Sequence, residues 1–239
     1  MRRSGTVAFA FVSITTFAHA DDASKPHKLR RLWAGLSFGL TTVQHPSSGN
    51  DVCKESEWVC AQSDGPRYPN GGTTSLAPPA HIGAGLGGLA TSMAVATFDV
   101  ALTDAFLLGV RYGFYFHPSN VNVVDFGTYF SILEARATWV LGSHPLTSPG
   151  VRPYALLGLG YADFSAPVDT GVTTKDAVGT QAISAWKIAG PGFVTTGIGV
   201  RIGNDRLAIM IAPVKIAAAF GSGSAIAFMP EIVVLGSPF

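Results

Sequence analysis

Charge is scarce in this chain. Asp, Glu, Lys and Arg make up 13% of it, about half the ~25% usual in soluble domains. Basic residues barely outnumber acidic ones, 16 to 15. That leaves no electrostatic footprint for a phosphate backbone and excludes nucleic-acid binding. Cysteine is nearly absent: the chain has 2, Cys53 and Cys60. Their spacing, with no Cys or His pair nearby at ligand distance, does not make a zinc site. A long apolar run is also missing beyond the first twenty residues. The best candidate, Ile82 to Phe98, carries Gly83, Gly85, Gly87 and Gly88, and each glycine inside a helix costs about 1 kcal/mol. A spanning helix needs about 20 apolar residues in a row, so a helical membrane anchor is disfavoured.

What the chain has in quantity is glycine, 28 residues, and apolar side chains, 47% of the total. It also opens like an exported protein. Arg2 and Arg3 precede an apolar run from Val7 to Phe17 that ends in Ala18-His19-Ala20. A basic start, a short apolar core and small residues at the cleavage site are the marks of a signal peptide for the Sec pathway. The alternative is a retained N-terminal anchor. No cysteine follows the cleavage site, which argues against a lipoprotein. Losing Arg2 and Arg3 from the 16 basic residues leaves 14 against 15 acids. Residues 21–31 then read as a periplasmic N-terminal tail. In an exported chain, Cys53 and Cys60 read as a disulfide within one polar loop.

Periodicity decides between the destinations open to an exported protein. Eight segments alternate with a period of two over roughly the 9–11 residues that a barrel strand needs. They run approximately over 32–43, 89–101, 105–116, 126–141, 151–163, 186–202, 207–220 and 225–239. The third is the clearest. Phe106, Leu108, Val110, Tyr112, Phe114 and Phe116 share one face, and Leu107, Gly109, Arg111, Gly113 and Tyr115 share the other. A soluble sandwich, the main structural rival, would turn its apolar face inward and its charges out. Here the charged face is also the one with small residues, which suits the interior of a narrow barrel. Connections alternate too, long after the first and fifth segments and short after the second and sixth. This matches long outer loops and short periplasmic turns. The last outer connection, Gly221 to Ser224, is tight and departs from the rule.

The final residue, Phe239, follows Val233 and Leu235 at alternate positions. In this ending, and in the strand pattern from Leu32 to Phe239, the chain resembles the eight-stranded barrels of the OmpA transmembrane-domain, OmpX and OmpW type, within an uncharacterised subgroup. The resemblance implies an all-β, eight-stranded antiparallel transmembrane β-barrel over residues 32–239. It also implies a place in the cell outer membrane of a Gram-negative bacterium and contact with outer-membrane lipid and lipopolysaccharide. Phe239 would be the signal read by the barrel insertion machinery. If Val233, Leu235 and Phe239 face lipid, Glu231 shares that face at a cost of a few kcal/mol. A bulge near Pro230 or Pro238 is therefore expected to return Glu231 to the inside.

Inward positions collect Asp99, Arg111, Glu134, Arg136, Arg201 and Lys215. Asp99 falls diagonally across a hairpin from Arg111. An eight-stranded barrel is just wide enough to be filled by side chains, so these residues read as an ion-pair network that plugs the lumen. The alternative is a narrow small-solute pore, mildly selective for anions. Gly83-Ala84-Gly85-Leu86-Gly87-Gly88 has the spacing of a dinucleotide loop but lacks the preceding buried strand, so no cofactor follows from it. His27, His45, His81, His117 and His144 are scattered over loops and tail. His45, His81 and His117 all fall near the outer rim, but surface histidines are the default and no metal or catalytic set emerges. Trp33 and Trp139 are expected in a periplasmic aromatic girdle, and Tyr112, Phe114, Phe116 and Trp186 in an outer one.

The functional expectation is a structural or surface-interaction barrel, not an enzyme, with residues 44–80 as a possible ligand surface. A pore and, further off, a membrane-edge lipid enzyme are the competing classes. The expected processing gives the first prediction: intact-mass measurement of the protein recovered from cells places its N-terminus at Asp21. A mass that retains residues 1–20 contradicts cleavage after Ala20.

Overall fold

Alternate side chains of a strand must go to opposite faces. In this chain that rule sends charge inward and hydrocarbon outward. The computed structural model describes residues 29–48, 51–55, 58–62, 81–116, 131–162, 164, 166–176, 179–187 and 189–238. Within them lie β1 (Leu32–His45), β2 (Trp58–Gln62), β3 (Gly85–Ala101), β4 (Phe106–Phe116), β5 (Ser131–Val140), β6 (Gly150–Tyr161), β7 (Ala166–Asp176), β8 (Gly179–Lys187), β9 (Gly190–Gly203), β10 (Leu207–Gly223), β11 (Ala225–Phe228) and β12 (Glu231–Gly236).

Strands β1, β3, β4, β5, β6, β9 and β10 pair with their neighbours in antiparallel order, and β11 with β12 completes an eighth position between β10 and β1. The pairing of β1 with β3 on one side and with β11 and β12 on the other closes the sheet into a ring, leaving no edge. This is an eight-stranded antiparallel transmembrane β-barrel. Backbone groups are satisfied between strands, the condition for crossing hydrocarbon without helices.

The outer surface carries the apolar stripes. Leu108, Val110 and Leu157 are 48%, 50% and 59% exposed, whereas Arg111, Glu134 and Arg201 are 1–2% exposed. Leu36, Phe38, Phe98, Leu159, Ile198 and Ile232 continue the outward apolar band around the ring.

One strand needs a correction of phase to keep this order. The β9–β10 register shifts between Ile211 and Val214. Across this bulge Pro213 and Val214 both face outward, so Lys215 turns inward with Met210 and Ala212. Proline has no N–H to offer a ladder and is tolerated at such a bulge. Without it Lys215 would share the lipid face with Ile209.

Three sequence expectations change. The segment from Phe164 to Ala185, read as a loop, contains the β7–β8 hairpin, and β2 from the first long connection pairs with β8 in a separate three-stranded sheet. The barrel strand expected from Trp186 starts at Gly190, because Trp186 belongs to β8 and lies opposite Val59. The last strand breaks at Met229 and Pro230 without changing phase. Ala227, Met229, Glu231, Val233 and Leu235 are all buried. Val233 and Leu235 therefore face the lumen with Glu231, and no parity switch is needed. Phe239 and residues 1–28 lie outside the described residues, as do His27, Tyr68 and His117.

The outward face of β6 generates a second prediction. Leu157→Arg destabilises the barrel in phospholipid vesicles by about 2–4 kcal/mol, as expected for a cation near the bilayer midplane. Equilibrium urea unfolding measures it. An unchanged midpoint would mean that Leu157 meets water.

Candidate functional site: a charged layer inside the barrel

The lumen is filled in three layers. Toward the short turns, Trp33, Leu107, Val140, Leu146, Tyr154, Met210, Val233 and Leu235 pack into one apolar cluster. Toward the outer loops, Val43, Met93, Val95, Tyr115, Ile132, Phe164, Phe193 and Met229 form another. Between them lies the charge. Glu231 on β12 accepts from Arg111 Nη1 at 2.8 Å, from Arg136 Nη1 at 2.7 Å and from Lys215 Nζ at 3.2 Å. Glu134 on β5 accepts from the same Lys215 at 2.9 Å and from Thr195 Oγ1 at 2.7 Å. Buried charges must be paired to be tolerated, and each carboxylate here serves more than one donor.

The backbone makes room for this layer through glycine. A Cβ at Gly109 would collide with the Asp99 carboxylate on the neighbouring strand, and one at Gly158 would come within 2.5 Å of Glu134 Oε1 and Thr195 Oγ1. Asp99 lies opposite Gly109, and Gly109 lies opposite Arg136. The sequence signal for this was the run of glycines on the charged face, a local clue to crowding.

The expected residues do not all meet. Arg111 reaches across the lumen to Glu231, while the bond recorded for Asp99 comes from Thr97 Oγ1 at 3.4 Å. Arg201 stands apart at the end of the short turns. It donates to the carbonyls of Pro145 at 3.1 Å and Asn204 at 2.6 Å, and its guanidinium lies 5.3 Å from the centre of the Trp33 ring. Trp33 is thus a lumen residue rather than part of a girdle. Trp139, Tyr112 and Phe114 face outward, Trp186 is buried in the outer sheet, and the Phe116 side chain is outside the described residues.

Cys53 and Cys60 are bonded to each other. They join Val52, Trp58, Ile82, Ile183 and Ala185 in the small core of the outer sheet. His45 is buried with its ring edge-on to Trp58 at 5.8 Å, and His81 is exposed. His144, with positive φ, pairs with Asp104 at 2.9 Å between the short turns. Among the described residues no three His, Cys, Asp or Glu side chains gather as a metal site.

No protein-family model matches the chain, and no curated protein matches it. Solved structures do. The chain is similar to Neisserial surface protein A over 86% of its own length and 96% of that chain, at 11% identity and a TM-score of 0.43. It is similar to the N-terminal β-barrel domain of Pseudomonas aeruginosa OprF over 83% and 96%, at 10% identity and 0.37. It is similar to Ail, the attachment invasion locus protein of Yersinia pestis, over 86% and 99%, at 8% identity and 0.35. In its ring of eight antiparallel strands the chain resembles small eight-stranded outer-membrane barrels.

The shared acceptor generates a third prediction. Glu231→Gln leaves two buried guanidinium groups without their carboxylate and destabilises the barrel by about 3–5 kcal/mol. Combining it with Arg111→Met restores part of the loss. Urea unfolding in vesicles checks both, and a neutral single variant contradicts the role given to Glu231.

Proposed function

We propose that the protein is a surface-presenting barrel of a Gram-negative outer membrane, exported through the Sec pathway, with no enzymatic role. The observation that carries this reading is the closed lumen. Its charged layer is shut between an apolar cluster at each end, and a filled interior is what an eight-stranded ring accommodates. This weighs against a narrow solute pore, in which the same charges would line a wet path. It also directs attention to the outer end.

There the three-stranded sheet of β2, β7 and β8 stands on the barrel, with its own core and the Cys53–Cys60 bridge. The ligand surface expected over residues 44–80 is therefore extended by the β7–β8 hairpin, which arrives from a distant part of the sequence. A bridged, packed sheet loses less conformational freedom on binding than a free loop, and so favours affinity for a surface partner. Lipopolysaccharide surrounds such a sheet, and insertion would proceed through the barrel machinery acting on the Phe239 end.

Replacing Ala166–Lys187 by a short turn tests this. The expected result is a barrel that still migrates heat-modifiably but has lost the binding or adhesion of intact cells. Planar bilayers containing the unaltered protein are expected to show no unitary conductance. Stable channels, with cell-surface binding unaffected by the hairpin's removal, would replace this reading with the pore.

A further inference from the structure

The connection between β5 and β6 is more than a turn. It runs over residues 141–149, whereas the other connections at that end span only 102–105 and 204–206. Pro145 and Pro149 bring no N–H for a ladder, and the β5–β6 pairing ends at Val140 and Tyr154. The chain bends inward instead. Pro145, Leu146 and Thr147 are buried, between exposed Ser143 and His144 before them and exposed Pro149 after them. Leu146, 1% exposed, joins the cluster that holds Trp33, Leu107, Tyr154 and Met210. A segment on the rim of the barrel thus sends a side chain into its mouth.

Few contacts hold it there. The Leu146 N–H donates to the Asp104 carbonyl at 3.2 Å, and Arg201 Nη1 donates to the Pro145 carbonyl at 3.1 Å. The His144 ring pairs with the Asp104 carboxylate at 2.9 Å. Asp104 lies in the β3–β4 turn and Arg201 on β9, so the anchors stand on either side of the β5–β6 pair. Residues 142–149 belong to none of the ladders that close the ring. They can leave while every barrel strand keeps its partners, and such a segment opens at far lower cost than the barrel unfolds. Gly142 and Gly150, at φ +121° and +131°, stand at its two ends, where a change of backbone angle meets no Cβ. His144 is a non-glycine residue at φ +48°, a conformation that a freed chain relaxes.

We propose that the β5–β6 connection is a detachable stopper, docked through Leu146 in the short-turn mouth of the barrel and released as a unit about Gly142 and Gly150. Release bares Arg201, Met210 and the Trp33 ring to solvent at that end. The charged layer and the apolar cluster beyond it stay shut, so the device opens a vestibule and not a channel. It rests on the reading of the lumen as closed.

The test uses the full chain refolded in lipid nanodiscs, which leave both ends in solvent, and a charged methanethiosulfonate as the thiol reagent. Met210→Cys places a reporter behind the stopper, and Ala217→Cys places a control in the outer apolar cluster; both positions are 0% exposed. Cys53 and Cys60 are bonded to each other and offer no free thiol. The expected result is slow labelling of Met210→Cys that accelerates on the order of thirtyfold when Leu146→Ala is added, with Ala217→Cys unlabelled in both backgrounds. An unchanged rate at Met210→Cys overturns the stopper. Equal acceleration at Ala217→Cys also overturns it, because the whole barrel has then loosened. Should Leu146→Ala give no heat-modifiable form, amide exchange in the unaltered protein decides. Exchange of the Leu146 N–H on the order of a hundredfold faster than that of the Val140 N–H, which donates to the Ala105 carbonyl, supports separate release; equal protection overturns it. Prompt labelling of both reporters with Leu146 in place overturns the closed lumen and the stopper together.

Discussion

Glu231 is the residue around which the interior is arranged. Its two carboxylate oxygens meet three cations, contributed by β4, β5 and β10. In a low-dielectric lumen none of these cations tolerates being left alone, and their stems are fixed by strand geometry. The requirement that they converge on one carboxylate constrains the register of four strands at once. The bulge at Pro213 and Val214 belongs to the same constraint, since it brings Lys215 to the inside. The glycines at 109 and 158 also belong to it, since a Cβ at either would occupy space that the carboxylates use.

Much of the barrel was legible in the sequence because its signal is local. Alternation in β4 and β6 can be read from a dozen residues, and the structure puts Leu108, Val110 and Leu157 outside as that alternation requires. The outer sheet was not legible for the opposite reason. Val168, Thr170, Val172 and Thr174 offer β-branched residues at alternate positions, but Pro167 and Gly171 interrupt them. Besides β7, the partner of β8 is β2, more than a hundred residues earlier. A pairing of that separation leaves no periodic trace.

The facing of the last strand was misread through its ending. Val233 and Leu235 are apolar, and in a membrane barrel apolar residues are assigned to lipid. In β12 that rule fails, because the lumen has its own apolar layer near the short turns and both side chains fill it. Ile232 and Val234 are just as apolar and face outward. When both faces of a strand are apolar, polarity cannot orient it; Glu231 alone does so. Trp33 is the same case on β1: its ring lies inside, 5.3 Å from the Arg201 guanidinium. The partners of the charges were hidden for a related reason. Sequence proximity links Asp99 to Arg111 through a hairpin, whereas the recorded ion pair of Arg111 is with Glu231, 120 positions away.

A buried ionic layer is poor evidence for stability, because desolvating the ions offsets most of their attraction, and apolar packing of the same volume often does as well. Its value in this barrel is selective. In a strand, a slip of one residue exchanges the two faces. For an apolar interior facing an apolar bilayer such a slip costs little, as the two-faced composition of β12 illustrates. With Arg111, Glu134, Arg136, Lys215 and Glu231 in place, the same slip would carry a charge into hydrocarbon, at about 2–4 kcal/mol for each cation near the midplane. The charged layer thus penalises wrong registers more than it rewards the right one. A membrane barrel needs that asymmetry, since the hydrophobic effect that orients strands in a soluble sandwich does not distinguish its inside from its outside.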